Sequence, residues 1–285
     1  MIALGRRVTY KISFFGKQKE WVMIKLAING ASGRVGRRLI ALAKSGSQFD
    51  LVSATCSPGS HHLHADAGEL AGIGPIGVVL ASAIGNHPQV VIDFSNHAGA
   101  RAALEYCLFN RVPLVVATTG LDEPLQADMR RAAETIPVCL APNMSQAVNL
   151  TMKLAQLAAR ALREYASGVD VEIIERHHRF KADSPSGTAL RFGELIAGEM
   201  GQLAHRHGRE GVVGQRPQNE IGYHAVRAGD DPGQHTILFG MLGETIELRV
   251  AASNRDCYAH GALAAAKFLI GKQPGSYTMA DVLGL

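Results

Sequence analysis

The chain has 285 residues, 47% hydrophobic and 19% charged, with 31 glycines and a formal net charge of +4. That size supports one large core or two moderate ones and, with a mean hydropathy of +0.05, excludes a disordered or fibrous chain. No apolar run approaches the ~18 residues of a membrane span, Lys and Arg are too scattered for a nucleic-acid stripe, and the mild positive balance suits a small anionic substrate better.

Residues 1–22 mix charge with short apolar patches and lack the apolar centre and cleavage site of a secretory signal. They read as an N-terminal extension, a place where disorder concentrates, ahead of a domain that starts at Met23. From Lys25 to Asn29 an apolar run ends at Gly30, and after a glycine-punctuated turn Val35, Leu39, Ile40 and Leu42 recur at helical spacing. Further strands are predicted at Leu51–Cys56, Val90–Ser95 and Val112–Gly120, with helices over Ala98–Phe109 and Pro124–Ile136. Strands alternating with helices predict an α/β fold with a parallel, doubly wound sheet.

After Ile136–Ser145 the texture changes. A long helix follows, with Leu150, Leu154, Leu157 and Leu162 as an apolar stripe expected to face the core. VDVEIIE, IGYHAVRA, HTILFGM and ETIELRVAA then read as strands with one intervening helix, opened by PSGT. This predicts a second, α+β domain with a mostly antiparallel or mixed sheet. The segment Ala259–Ile270 is helical again and is expected to return to the first domain, giving boundaries of 23–147 with 258–285 and of 148–257. Cys56, Cys107, Cys139 and Cys257 stand apart without CxxC or metal-ligand spacing, so free thiols in a reducing cytoplasm are expected, with neither a disulfide nor a bound metal.

In GASGRVGR the residues Gly30, Gly33 and Gly36 fall between a predicted strand and a predicted helix. Glycine lets backbone N–H groups approach a pyrophosphate, and the helix N-terminus adds partial positive charge. An NAD-selective site places an acid about 20 residues further on; here the second strand ends in Cys56-Ser57, and Asp50 lies at its far end. With Arg34 in the first helical turn and Ser57, Ser60, His61 and His62 after the strand, NADPH is expected to be admitted alongside NADH. The TTG turn (Thr118–Gly120) and the APNMS turn (Ala141–Ser145) also end strand-like runs, so a parallel sheet lines them up on the same carboxyl edge.

The stretch ERHHRFKADSPSGTAL crowds His177, His178, Arg179 and Lys181 ahead of a helix start. A solvated basic loop is one reading. An anion-receiving loop is the other, because the N–H groups near Gly187 and Thr188 and the Thr188 hydroxyl suit a carboxylate, while His177, His178 and Lys181 bring charge and protons.

From Met23 to Leu285 the chain resembles the bacterial dihydrodipicolinate reductase family. The family motif E-x-H-H-x-x-K-x-D-x-P-S-G-T-A stands complete from Glu175 to Ala189, together with GASGRVGR, IDFS, TTG, APNMS, IGYHAVRAGD and QHTILF. The resemblance implies a Rossmann-like coenzyme domain that uses NADH and NADPH, and a second, α+β domain that binds a small anionic dicarboxylate and builds a homotetramer. It also implies reduction of 4-hydroxy-tetrahydrodipicolinate in diaminopimelate and lysine biosynthesis. By position, His177 matches a proton donor or acceptor, Lys181 a second proton donor, and His178, Ser186, Gly187 and Thr188 the substrate-binding residues. Cofactor contacts are implied for Gly30, Ala31, Ser32, Gly33, Arg34, Val35, Cys56, Ser57 and Phe94. They are implied too for Ala117, Thr118, Thr119, Ala141, Pro142, Asn143 and Met144. The chain departs from the family at Cys56, where many members carry a ribose-binding acid, at Ala117 in place of a frequent Gly, and at Gln234 in place of a frequent acid. Other readings stand beside the reductase: an NAD(P)-dependent oxidoreductase acting on another small dicarboxylate, an acid/base enzyme acting on one without net reduction, and a nucleotide-sensing module without turnover. Consumption of NAD(P)H separates the reductive readings from the acid/base enzyme, and the sensing module predicts dinucleotide binding without turnover.

Overall fold

Two sheets organise the chain, and the second follows the first in sequence until a final segment returns. The computed structural model describes residues 23–285, so the extension read over residues 1–22 lies outside the described residues. The first stretch runs β1 (Ile24–Asn29), α1 (Arg34–Ser45), β2 (Phe49–Thr55), α2 (Ala67–Ala71), β3 (Leu80–Ala81), β4 (Val90–Asp93), α3 (His97–Asn110), β5 (Leu114–Val116), α4 (Glu123–Ala132) and β6 (Pro137–Leu140). The second runs α5 (Gln146–Leu162), β7 (Asp170–His177), α6 (Gly187–Met200), β8 (Ala204–His207), β9 (Glu220–Arg227), β10 (Gln234–Met241) and β11 (Glu244–Ala251). The chain closes with α7 (Asp256–Leu269), β12 (Gly275–Tyr277) and α8 (Met279–Leu283).

The first sheet has seven parallel strands in the order β12-β6-β5-β4-β1-β2-β3. A parallel sheet is covered on both faces, so its strands are apolar on both sides. Leu26, Ile28, Val90 and Ile92 pack on one face with Leu39 and Ile40 of α1 and Ala262 and Ala266 of α7. Ala27, Val91, Leu114 and Val116 pack on the other with Leu104 of α3 and Leu125 of α4. Strand order reverses between β1 and β4, and in such sheets ligands lie outside the carboxyl ends of the strands at the reversal. The segment from α7 onward belongs to this layer: α7 sits in its core and β12 extends it beyond β6.

The second sheet has the order β11-β10-β7-β9-β8 and is mixed. β10 runs antiparallel to β7 and β11, whereas β9 is parallel to β7 and β8. Alternation along the strands turns Val171, Ile173, Ile221, Tyr223, Ile237 and Phe239 towards Ala155 and Ala159 of α5 and Phe192 and Ile196 of α6.

The leucine stripe of α5 is a correction to the sequence reading. Leu150, Leu154 and Leu157 are 42%, 43% and 62% exposed, while Val148, Thr151, Ala155 and Ala159 form the buried face. Phe192, Phe239 and Tyr223 already fill the space over the sheet, so the helix presents its small residues inward and its leucines outward. Leu162 alone of the four packs against the core.

Candidate active site

The glycine turn follows β1 directly. Gly30 has φ +78°, and a Cβ there would overlap the Phe94 carbonyl, so both backbone conformation and close approach require glycine. Ala31 donates its N–H to the Thr55 carbonyl at 2.8 Å, which pins the turn to the end of β2. α1 begins with Gly33 as N-cap and no side chain capping it, the arrangement that suits an anion at a helix N-terminus.

Beneath the turn a buried network ties four strand ends together. Thr55 donates to Asn29 at 2.6 Å, Asn29 to Asp93 at 2.7 Å, and Thr118 to Asp93 at 2.7 Å. Asp93 is fully buried: burial pushes its carboxyl up, opposed by hydrogen bonds from Ser95, Thr118 and Asn29. This fixes the carboxyl edge on which a dinucleotide would lie.

A cleft of about 460 Å³ opens on that edge, lined by Gly30, Ser32, Gly33, Cys56, Ser57 and Phe94 among others. A larger cleft of about 900 Å³ lies between the two sheets and collects Arg34, Thr119, Ala141, Pro142, Asn143, His177, His178, Lys181, Ser186, Gly187 and Thr188. Of the other sequence candidates, Ala31, Ala117 and Met144 are buried in the first layer, Val35 packs against the same core, and the Thr118 hydroxyl is committed to Asp93. The arginine that joins the glycine turn to the segment after β2 is Arg37, not Arg34: it donates to the Ser32 carbonyl at 3.0 Å and its Nη2 lies 3.1 Å from His62 Nε2. Burial first, then His61 and Arg37, hold the His62 imidazole below its ordinary value.

The basic loop grows out of β7. Alternation places Val171, Ile173, Glu175 and His177 on the covered face, so the last two inward positions are polar and buried. A buried carboxylate needs partners, and Glu175 has three, through four contacts. It accepts from Arg227 at 2.8 and 2.7 Å, from the Ser186 N–H at 3.1 Å, and lies 2.5 Å from His177 Nδ1. Burial pushes its carboxyl up, but Arg227 and His177 overcome this and leave it below the ordinary value. One carboxylate therefore anchors both ends of the loop, at His177 and at Ser186.

Between those anchors His178 N–H donates to the Asp231 carbonyl at 2.8 Å, and Lys181 Nζ pairs with Asp183 at 2.7 Å. Ser186 caps α6 by accepting from the Ala189 N–H, which leaves Gly187 and Thr188 as the first residues of the helix facing the cleft. The Ser186 hydroxyl also lies 3.1 Å from His235 Nε2. Burial and then His177 push the His235 imidazole down to about 4, so it is neutral and shares a hydrogen bond with the Ser186 hydroxyl. Arg227, His235 and Gly233, against which His177 Nε2 rests, were not picked out in the sequence; they lie on β9, on β10 and just before β10, and only the sheet order brings them to β7.

The residues fit a dinucleotide on one wall of the interdomain cleft and a small anion with proton donors on the other. That layout defines a two-domain oxidoreductase with a Rossmann-like sheet. The family model for the N-terminus of dihydrodipicolinate reductase matches residues 24–144, and that for its C-terminus matches residues 147–283. The chain belongs to the dihydrodipicolinate reductase family. It is 56% identical over 272 residues to the 4-hydroxy-tetrahydrodipicolinate reductase of Rhodopirellula baltica, covering 92% of this chain and 96% of that one. It is 46% identical over 267 residues to the enzyme of that name from Alkalilimnicola ehrlichii, covering 92% and 99%. Among solved structures it resembles a dipicolinate-bound dihydrodipicolinate reductase from Paenisporosarcina sp. TG-14, with TM-score 0.72 and 25% identity over 91% of this chain and 98% of that one.

Proposed function

We propose that the chain reduces 4-hydroxy-tetrahydrodipicolinate to tetrahydrodipicolinate with NADH or NADPH, a step of diaminopimelate and lysine biosynthesis. The observation that carries this reading is the cleft shared by His177, Lys181 and the Gly187–Thr188 helix start on one side and Thr119 and Ala141–Asn143 on the other, in a chain of this family.

Replacing a hydroxyl by hydrogen takes two electrons and a proton and releases water. Reduced nicotinamide, when bound, supplies the hydride; Gly30 to Gly33, Ser57, Thr119 and Ala141 to Asn143 are the residues that would hold it. The chain's own groups do the rest. The N–H groups of Gly187 and Thr188, the Thr188 hydroxyl and His178 receive carboxylate oxygens. The Lys181 ammonium neutralises the dianion and, with His177 at its Nε2, delivers the one proton to the departing hydroxyl, which leaves as water.

The family's homotetramer suits residues 148–257 as the assembling domain, with residues 23–147 and 258–285 carrying the coenzyme. The sheet face opposite α5 and α6 supports this, because Ile174 and Val226 lie on it 40% and 43% exposed. Light scattering on the purified chain decides the assembly, and a monomer at micromolar concentration would contradict it. A cytoplasmic setting agrees with the four free cysteines and with the absence, among the described residues, of any helix long and apolar enough to cross a membrane.

The competing acid/base reading predicts substrate turnover without coenzyme oxidation. Supplying 4-hydroxy-tetrahydrodipicolinate and following reduced-nicotinamide absorbance should show one coenzyme oxidised per tetrahydrodipicolinate formed. Substrate conversion with no coenzyme consumed would overturn the proposal.

A further inference from the structure

We propose that Glu175, clamped by Arg227, is a positioning residue: it holds the His177 ring with Nδ1–H towards the carboxylate and Nε2 towards the cleft, and supplies the negative charge that favours a second proton on that ring. This rests on the reading of His177 as a proton-transfer group.

The geometry leaves the ring little choice. Glu175 is 1% exposed and its oxygens already accept two bonds from Arg227 and one from the Ser186 N–H. An ionised carboxylate only accepts, so the short 2.5 Å contact requires the proton on His177 Nδ1. Nε2 is then the exchangeable position. It faces Gly233, whose missing side chain keeps it uncovered: a Cβ there would stand 2.6 Å from Nε2. Gly233 is itself set by its N–H donating to Asp231 at 2.9 Å, and Asp231 is held by Arg176 at 2.7 Å.

The charges around His177 come from every strand and loop packed on it. β7 supplies Glu175, β9 supplies Arg227, the loop supplies Lys181 with its partner Asp183, and β10 supplies the neutral His235. Three of these groups are cationic or neutral, and Glu175 is the carboxylate hydrogen-bonded to the ring. Burial holds the His177 imidazole below its ordinary value, and Glu175 acts against burial more than any other neighbour. Removing that charge while keeping an acceptor should therefore lower the proton affinity of Nε2 further without releasing the ring.

The test uses the full-length enzyme, with kcat and KM followed against pH and the His177 ring titrated by nitrogen-15 NMR in histidine-labelled protein. Glu175→Gln keeps an oxygen for Nδ1–H. It should move the His177 titration and the limb of the kcat profile where that proton is lost to lower pH by about one unit or more. At neutral pH it should cut kcat at least roughly tenfold, with recovery on acidification and little change in the substrate KM. If Glu175→Gln does not fold, Glu175→Asp is read instead: it keeps the charge at shorter reach and should lower kcat at every pH while leaving the titration near wild type. A folded Glu175→Gln with an unshifted limb and titration, or a Glu175→Asp with wild-type kcat, overturns the proposal. His177→Gln is the control: if it turns over normally the role given to His177 has failed, whereas loss in His177→Gln with an unmoved Glu175→Gln profile isolates the failure to Glu175.

Discussion

The Asn143 side-chain amide donates a hydrogen bond to the Thr188 hydroxyl at 3.1 Å. It joins the turn after β6 to the first turn of α6, so the edge suited to the coenzyme and the helix start suited to the substrate touch through one polar pair. The Asn143 turn is stiffened by Ser145 N–H donating to the Asn143 side chain at 2.9 Å and by Asn149 donating to the Asn143 carbonyl at 2.8 Å. Thr188→Val should raise the substrate KM about fivefold, the equivalent of roughly 1 kcal/mol of hydrogen bonding, and leave the coenzyme KM alone. Asn143→Ala should raise both. Steady-state kinetics with each reactant varied in turn checks the split.

His177 ends β7 and Lys181 stands on the loop that follows it, away from the glycine turn. His177→Ala and Lys181→Ala should each lose turnover by about a hundredfold or more, while the NADPH dissociation constant, measured by fluorescence titration, stays within about twofold of wild type.

Coenzyme choice turns on the end of β2, where Cys56 and Ser57 offer no carboxylate against a 2′-phosphate and where Arg37, whose guanidinium donates to His62 Nε2 at 3.1 Å, offers a cation. NADPH should be used comparably to or better than NADH. Arg37→Leu should lower kcat/KM for NADPH about tenfold and spare NADH, and Cys56→Glu should shift preference towards NADH by a similar factor, the equivalent of ~1.4 kcal/mol. Comparing kcat/KM for both coenzymes across the three proteins measures this, and a wild type strongly selective for NADH would refute it.

Acid stability should depend on Glu172. It accepts from Arg209 at 2.8 Å, from Arg216 at 2.8 Å and lies 2.7 Å from His224 Nε2. Burial pushes its carboxyl up, and the two arginines and His224 overcome that to bring it from 4.5 to about 2. A carboxyl depressed in the folded state stabilises above its unfolded value and loses that contribution as pH falls through the folded one. Glu172→Gln should therefore cost on the order of 3 kcal/mol at neutral pH and close to nothing near pH 2. Denaturant unfolding of both proteins across that window tests the sign.

The parallel layer was legible because β1, β4 and β5 are apolar runs set between amphipathic helices, and a glycine turn marks the first crossover. β3, β8 and β12 were not, since two to four residues cannot display a period. On α5, spacing identified an apolar stripe, but spacing cannot tell which of two faces a crowded sheet accepts, and the alanines fitted where the leucines did not. The loop chemistry was legible as residue types in a motif. Its organisation was not, because Glu175 meets Arg227 only when β9 pairs with β7 across the intervening α6 and β8.

The measurement that tests the account most directly is transfer of label from NADPH deuterated at the nicotinamide hydride position. With 4-hydroxy-tetrahydrodipicolinate as substrate, the wild-type enzyme should give tetrahydrodipicolinate carrying one covalently bound deuterium per coenzyme oxidised, and Lys181→Ala should give the same labelled product more slowly. Unlabelled product formed at the wild-type rate, or product without coenzyme oxidation, would contradict hydride transfer in this cleft.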